Sequence, residues 1–85
     1  MITSFQQDTM DFHADRLSTF RSNLEHHRRT HDSYARQLEQ SDLGDAERAY
    51  VAGRLAKMES LIAEAEHAIA CYGAEADEYR RSVTS

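Results

Sequence analysis

The spacing of apolar residues restricts this chain more than any other feature of its sequence. From residue 51 onward it runs Val51, Leu55, Met58, Ile62, Ala65, Ile69, Tyr72, Ala76, Tyr79 and Val83, with gaps that alternate four and three throughout. Such a repeat is the seam of a helix packed lengthwise on a neighbour. The first half carries the same spacing in Met10, His13, Leu17, Phe20, Leu24, His27, His31, Tyr34 and Leu38. No period-two alternation competes with it. The chain has no proline and only three glycines, so nothing forces either seam to break. The spacing predicts two helices of roughly 35 residues, each about 50 Å long.

Between the seams lies a single cluster of turn residues, Ser41-Asp42-Leu43-Gly44-Asp45. Helix one is expected over about 4–40, the turn over 41–45 and helix two over about 46–81, in one domain spanning 1–85. Gly44 suits the left-handed conformation that ends a helix, and Ser41 or Asp45 suits the cap of the next. Ser4 followed three residues later by Gln7 suits a capping box, and Ser82 to Ser85 are expected to fray. So short a link makes the helices antiparallel. Pairing Leu38 with Val51 then sets every other layer, including His31–Met58, Leu24–Ala65 and His13–Ala76. That register brings Arg21 near Glu66, Arg28 near Glu59 and Arg16 near Glu75. The fold class is all-α: a long antiparallel two-helix coiled-coil hairpin, expected to dimerise into a four-helix bundle.

Composition narrows the function. Fifteen acidic side chains against ten basic ones give a net charge of -5, which argues against nucleic-acid binding through a broad basic face. Cys71 is the one cysteine, so no disulfide scaffold exists. No run approaches the ~18 apolar residues of a membrane span, and residues 1–10 lack a basic stretch followed by an apolar one. The expectation is a soluble, cytoplasmic, acidic protein with no membrane partner.

Some apolar residues lie outside the seams. Ile2, Phe5 and Phe12 form a separate stripe at the start of helix one. On helix two, Ala49, Ala52, Ala56, Ala63 and Ala70 form a strip of small residues, with Leu61 and Ala68 on another flank. Each large side chain left in water forgoes about 1.5–3 kcal/mol of burial. These stripes are therefore expected to meet another protein, in the first place a second copy of the chain. The interface residues expected are Ile2, Phe5, Phe12, Arg28, Arg29, Ala49, Ala56 and Ala63, with Glu59 and Glu66 from the acidic side of helix two.

The densest polar cluster is His26-His27-Arg28-Arg29-Thr30-His31. His27 and His31 are four apart and project to one face, a spacing that holds a divalent metal when other ligands complete the shell. Their expected neighbours across the seam, Ile62 and Met58, supply none, so a metal would need a second chain. Polar seam residues also fix register at some cost in stability, and charging a buried histidine would loosen the middle of the hairpin. Glu64 and His67 match the Glu-x-x-His element of di-iron bundles but point off the seam, and no second copy of the motif occurs. Cys71 stands one turn beyond His67 on a helix surface that offers no pocket for nucleophilic chemistry. The chain has no Gly-rich phosphate loop, nucleophile elbow or dinucleotide fingerprint. No enzymatic activity, catalytic residue or cofactor is expected.

Small bacterial helical hairpins of this length include the type VII secreted proteins, marked by Trp-x-Gly at the turn, and the type III secretion needle subunits, with prolines there. This turn reads Leu43-Gly44-Asp45 in a chain without tryptophan or proline. Phage-encoded inhibitors of bacterial defences, anti-CRISPR proteins among them, are similar in kind: short, acidic and without motifs. The function expected is a non-enzymatic protein-binding module, an inhibitor or adaptor acting on a larger protein or assembly. The alternatives are a histidine-containing bundle that binds a divalent metal or responds to pH, and a secretion-type structural hairpin or chaperone.

Overall fold

The computed structural model describes residues 2–84. They form two α-helices, α1 over Ser4–Leu38 and α2 over Asp45–Thr84, with no strand among the described residues. The helices pack against each other as a rod measuring 64 × 16 × 14 Å.

Each helix end has an identifiable cause. The capping box at the start of α1 is made by Thr3 and Gln6, one residue ahead of the expected Ser4 and Gln7. The Gln6 N–H donates to the Thr3 hydroxyl at 3.1 Å, and the Thr3 N–H donates to Gln6 Oε1 at 2.9 Å. Both pairs fit the motif, and this choice leaves Gln7 free to donate to Asp11 at 3.0 Å. At its other end α1 tightens, with the N–H groups of Glu39 and Gln40 donating to the carbonyls of Arg36 and Gln37. Arg48 then reaches across the link: its guanidinium donates to the carbonyls of Leu38 and Gln40 at 3.0 and 3.1 Å. These bonds satisfy carbonyls that a helix end leaves without partners, and α1 stops at Leu38 rather than near residue 40.

Gly44 does not take the left-handed conformation expected of it, because no described residue has a positive φ. The link over residues 39–44 is long enough to reverse the chain without one. Gly44 instead starts α2, its carbonyl accepting from the Arg48 N–H at 2.9 Å. Asp45 lies inside the helix, where it and Glu47 bring negative charge to the positive helix end. Helix α2 runs past the expected limit to Thr84, where the half-buried seam residue Val83 holds the last turn. The Thr84 hydroxyl bonds the Arg80 carbonyl at 2.8 Å. Ser85 lies outside the described residues.

Every seam residue named from spacing is buried or half-buried. Leu24, Val51, Met58 and Ala76 are the deepest, yet none is below 2% exposed. At the open end of the hairpin the seam is aromatic. The His13 ring stands edge-on between Tyr72 and Tyr79, each at 5.5 Å and 90°. Those tyrosines lie on either side of Ala76, which agrees with the expected His13–Ala76 layer. No helix is long and apolar enough to cross a membrane.

The surface is large for the mass. The chain exposes 6215 Å², whereas a compact monomer of 9.7 kDa exposes about 5,100 Å². A two-helix rod has only one interface in which to hide its apolar area.

Candidate interaction surface

Two flanks run alongside the seam, one on each side of the helix pair. The first carries Ala14 and Arg28 from α1 with Glu66, Gly73 and Arg80 from α2. The second carries Arg16 and Gln37 from α1 with Glu47, Arg54, Leu61 and Ala68 from α2. Their different chemistry follows from the residues that the heptads place there.

On the first flank, Arg28 pairs with Glu66 at 3.3 Å, and Glu59 turns to His31 Nε2 at 3.4 Å. This differs from the expected Arg28–Glu59 and Arg21–Glu66 pairs by one heptad. Long exposed side chains choose among acceptors that differ by less than ~1 kcal/mol, so register alone did not decide them. Arg29 pairs with Glu25 one turn back on its own helix, and Arg80 with Asp77. At the open end a groove of about 170 Å³ is lined by Met10, His13, Ala14, Leu17, Ala76 and Arg80. The small side chain of Ala14 and the absence of one at Gly73 leave this flank thin. His13 Nδ1 is buried nearby without a hydrogen-bond partner among the described residues.

The second flank carries the larger apolar side chains. Arg16, expected beside Glu75, instead lies over the Phe12 and Phe20 rings at 6.0 and 5.4 Å. Near the turn, Arg54 lies over Tyr34 and its Nε donates to the Tyr34 hydroxyl at 3.4 Å. That hydrogen bond holds the Arg54 guanidinium above the ordinary arginine value. A raised value stabilises the fold at every pH below that range and is lost only in strong alkali. Leu61 and Ala68 are half-buried midway. Beside the turn a cleft of about 400 Å³ is lined by Gln37, Leu43, Ala46, Glu47, Tyr50 and Val51.

The exposed large apolar residues lean to this second flank. Phe5 is 75% exposed, Phe12 57% and Tyr50 66%, with Ile2 beside them at the start of the chain. Phe5 and Phe12 are one heptad apart. Tyr50 holds the same heptad place on α2, just before seam residue Val51, and that place is the signal by which the sequence reveals it. The alanine strip of Ala49, Ala56 and Ala63 is exposed, but at 100° per residue it lies on the side of the first flank. One contact surface therefore does not cover both the phenylalanines and the alanines.

The histidines are not gathered into a site. The His31 ring stands between Asp32 and Glu59, 3.4 Å from each. His27 faces His26 with ring centroids 6.0 Å apart. No group of three or more His, Cys, Asp or Glu side chains among the described residues is arranged to hold a metal ion. Cys71 Sγ lies 3.5 Å from His67 Nε2, on open helix surface and outside both clefts. No protein-family model, curated protein or solved structure matches this chain.

Proposed function

We propose that this hairpin is a non-enzymatic protein-binding module, an inhibitor or adaptor that occupies a surface on a larger protein or assembly. A second copy of the chain is its first partner, in a four-helix bundle. One observation carries the reading: Phe5, Phe12 and Tyr50 lie exposed along one flank of a rod that has no other hydrophobic core to join. Two phenylalanines and a tyrosine in water forgo several kilocalories of burial, on the order of 1.5–3 kcal/mol for each phenylalanine, and aromatic anchors are what protein interfaces select. The absence of catalytic motifs from the sequence supports a binding role over a chemical one.

The test compares the wild-type chain with a Phe5→Ser/Phe12→Ser double variant. Size exclusion with light scattering reads association, circular dichroism reads helicity, and affinity capture reads foreign partners. The double variant is expected to lose association and captured proteins while keeping its helicity. If it associates and captures as the wild type does, the exposed flank is not a binding surface.

A further inference from the structure

We propose that the second copy docks antiparallel along the second flank, so that Phe5 and Phe12 of each chain enter the other's cleft beside Leu43, Ala46 and Tyr50. This rests on the protein-binding reading above and adds the flank on which the second copy lies and its direction. The rings and the cleft lie on one flank but at opposite ends of the rod. By the rise per residue, Phe12 and Tyr50 are about 40 Å apart along the axis. A two-fold axis through the middle of the flank therefore brings each chain's rings to the other's cleft, twice over. Had the cleft been on the opposite flank, the same contact would not close and would build an open filament.

Area and charge support the same arrangement. The chain exposes about 1,100 Å² more than a compact monomer of its mass, and a standard interface takes about 800 Å² from each partner. A cleft of about 400 Å³ has room for aromatic side chains.

The charge of the rod is uneven along its length. At the open end Asp8, Asp11, Asp15, Glu75, Asp77 and Glu78 outnumber Arg16, Arg80 and Arg81. Around the turn Asp32, Glu39, Asp42, Asp45 and Glu47 exceed Arg36, Arg48, Arg54 and Lys57 by only one. A parallel dimer would set two acidic ends side by side. The antiparallel one sets each against the less acidic end and keeps the acidic ends apart by far more than the ~8 Å over which salt screens them.

The test uses the full chain with Cys71→Ser to silence the native thiol. Thr9→Cys, between the two phenylalanines, and Glu47→Cys, at the cleft, leave the proposed contact residues intact. The two single-cysteine chains are mixed and treated with a short bismaleimide, and mass spectrometry reads the linked positions. The expected result is a 9–47 link between chains with no 9–9 link. Dimers that give 9–9 links and no 9–47 link overturn the antiparallel direction and leave self-association standing. A chain that stays monomeric at high concentration overturns the second copy as occupant, and the capture comparison above then decides the binding reading separately. Tyr50→Ser is expected to weaken the dimer at least about tenfold with helicity retained. Ala56→Lys, on the other flank, is expected to leave it unchanged. The reverse pattern, with Ala56→Lys breaking the dimer and Tyr50→Ser sparing it, moves the interface to the alanine strip and overturns the proposal.

Discussion

His13 and Arg48 are the two side chains whose surroundings assign them specific stability effects. His13 contributes its ring to the aromatic layer with Tyr72 and Tyr79 but leaves a buried nitrogen without a partner. An unsatisfied buried polar atom costs about 1–3 kcal/mol. His13→Phe keeps an aromatic ring in place and removes that atom, and the adjoining groove gives it room. The variant is expected to raise stability by about 1 kcal/mol, read as a higher melting temperature. Arg48 acts in the opposite direction. Arg48→Ala strips two carbonyls at the end of α1 of their donors and is expected to lower stability by about 1 kcal/mol. Arg48→Lys recovers only part of that, because an ammonium lacks the guanidinium's fork of parallel donors. Denaturant titration of the three chains gives the comparison. Neither residue shows its role in the sequence: His13 reads as one more polar seam position, and Arg48 as a surface base in the first turn of a helix.

At the scale of the helix, the seam was fully legible and the ends were less so. Burial at the seam is worth far more than any competing local preference, so every residue that the four-three spacing named turns inward, while half-buried flank residues such as Leu61 and Ala68 lie outside that series. Ends are decided by small differences. Thr3 and Ser4 both begin acceptable capping boxes; the helix takes the earlier, and Gln7 donates to Asp11 instead. Gly44 resembles a helix-stopping glycine, yet the six-residue link turns without a positive φ. Ion pairs were the least legible feature, since Glu59 and Glu66 have several cations within reach and little energy separates the choices. Among the helix residues, Gly53 is the clearest opportunity. It faces away from the seam, and a Cβ there would meet no atom within 4 Å. Gly53→Ala is expected to stabilise α2 by about 0.5–1 kcal/mol. For a domain of this size that corresponds to a few degrees in melting temperature, roughly 4–8 °C per kcal/mol.

For the whole molecule, what matters is how little is deeply buried. Among the described residues only Leu24, Val51, Met58 and Ala76 are buried and no side chain is fully dry, so an isolated hairpin has a small margin of stability. If the flank carrying Phe5, Phe12 and Tyr50 is covered by another copy, stability depends on chain concentration by mass action. The melting temperature of the wild-type chain is then expected to rise with each tenfold increase in concentration. That of the Phe5→Ser/Phe12→Ser variant is expected to stay flat. A flat wild-type series shows that the hairpin carries its stability alone. The candidate surface was half legible at this scale. Ile2, Phe5 and Phe12 stood out because they break the seam pattern, whereas the cleft at Leu43, Ala46 and Tyr50 exists only once the link has folded back over α2.

The guanidinium clasp at the turn also sets how the rod comes apart. Arg48 ties down the closed end, while residue 4 and residue 84 leave side by side at the other. A force applied to that pair of ends does not slide one helix along the other. It peels them, one seam layer after the next, starting at Met10, Tyr79 and Val83, passing the unmatched nitrogen of His13 and arriving last at the clasp. The hairpin is therefore mechanically a zipper with a fixed stop: weak to pulling at its mouth, and able to re-close from the turn because its two helices never lose each other.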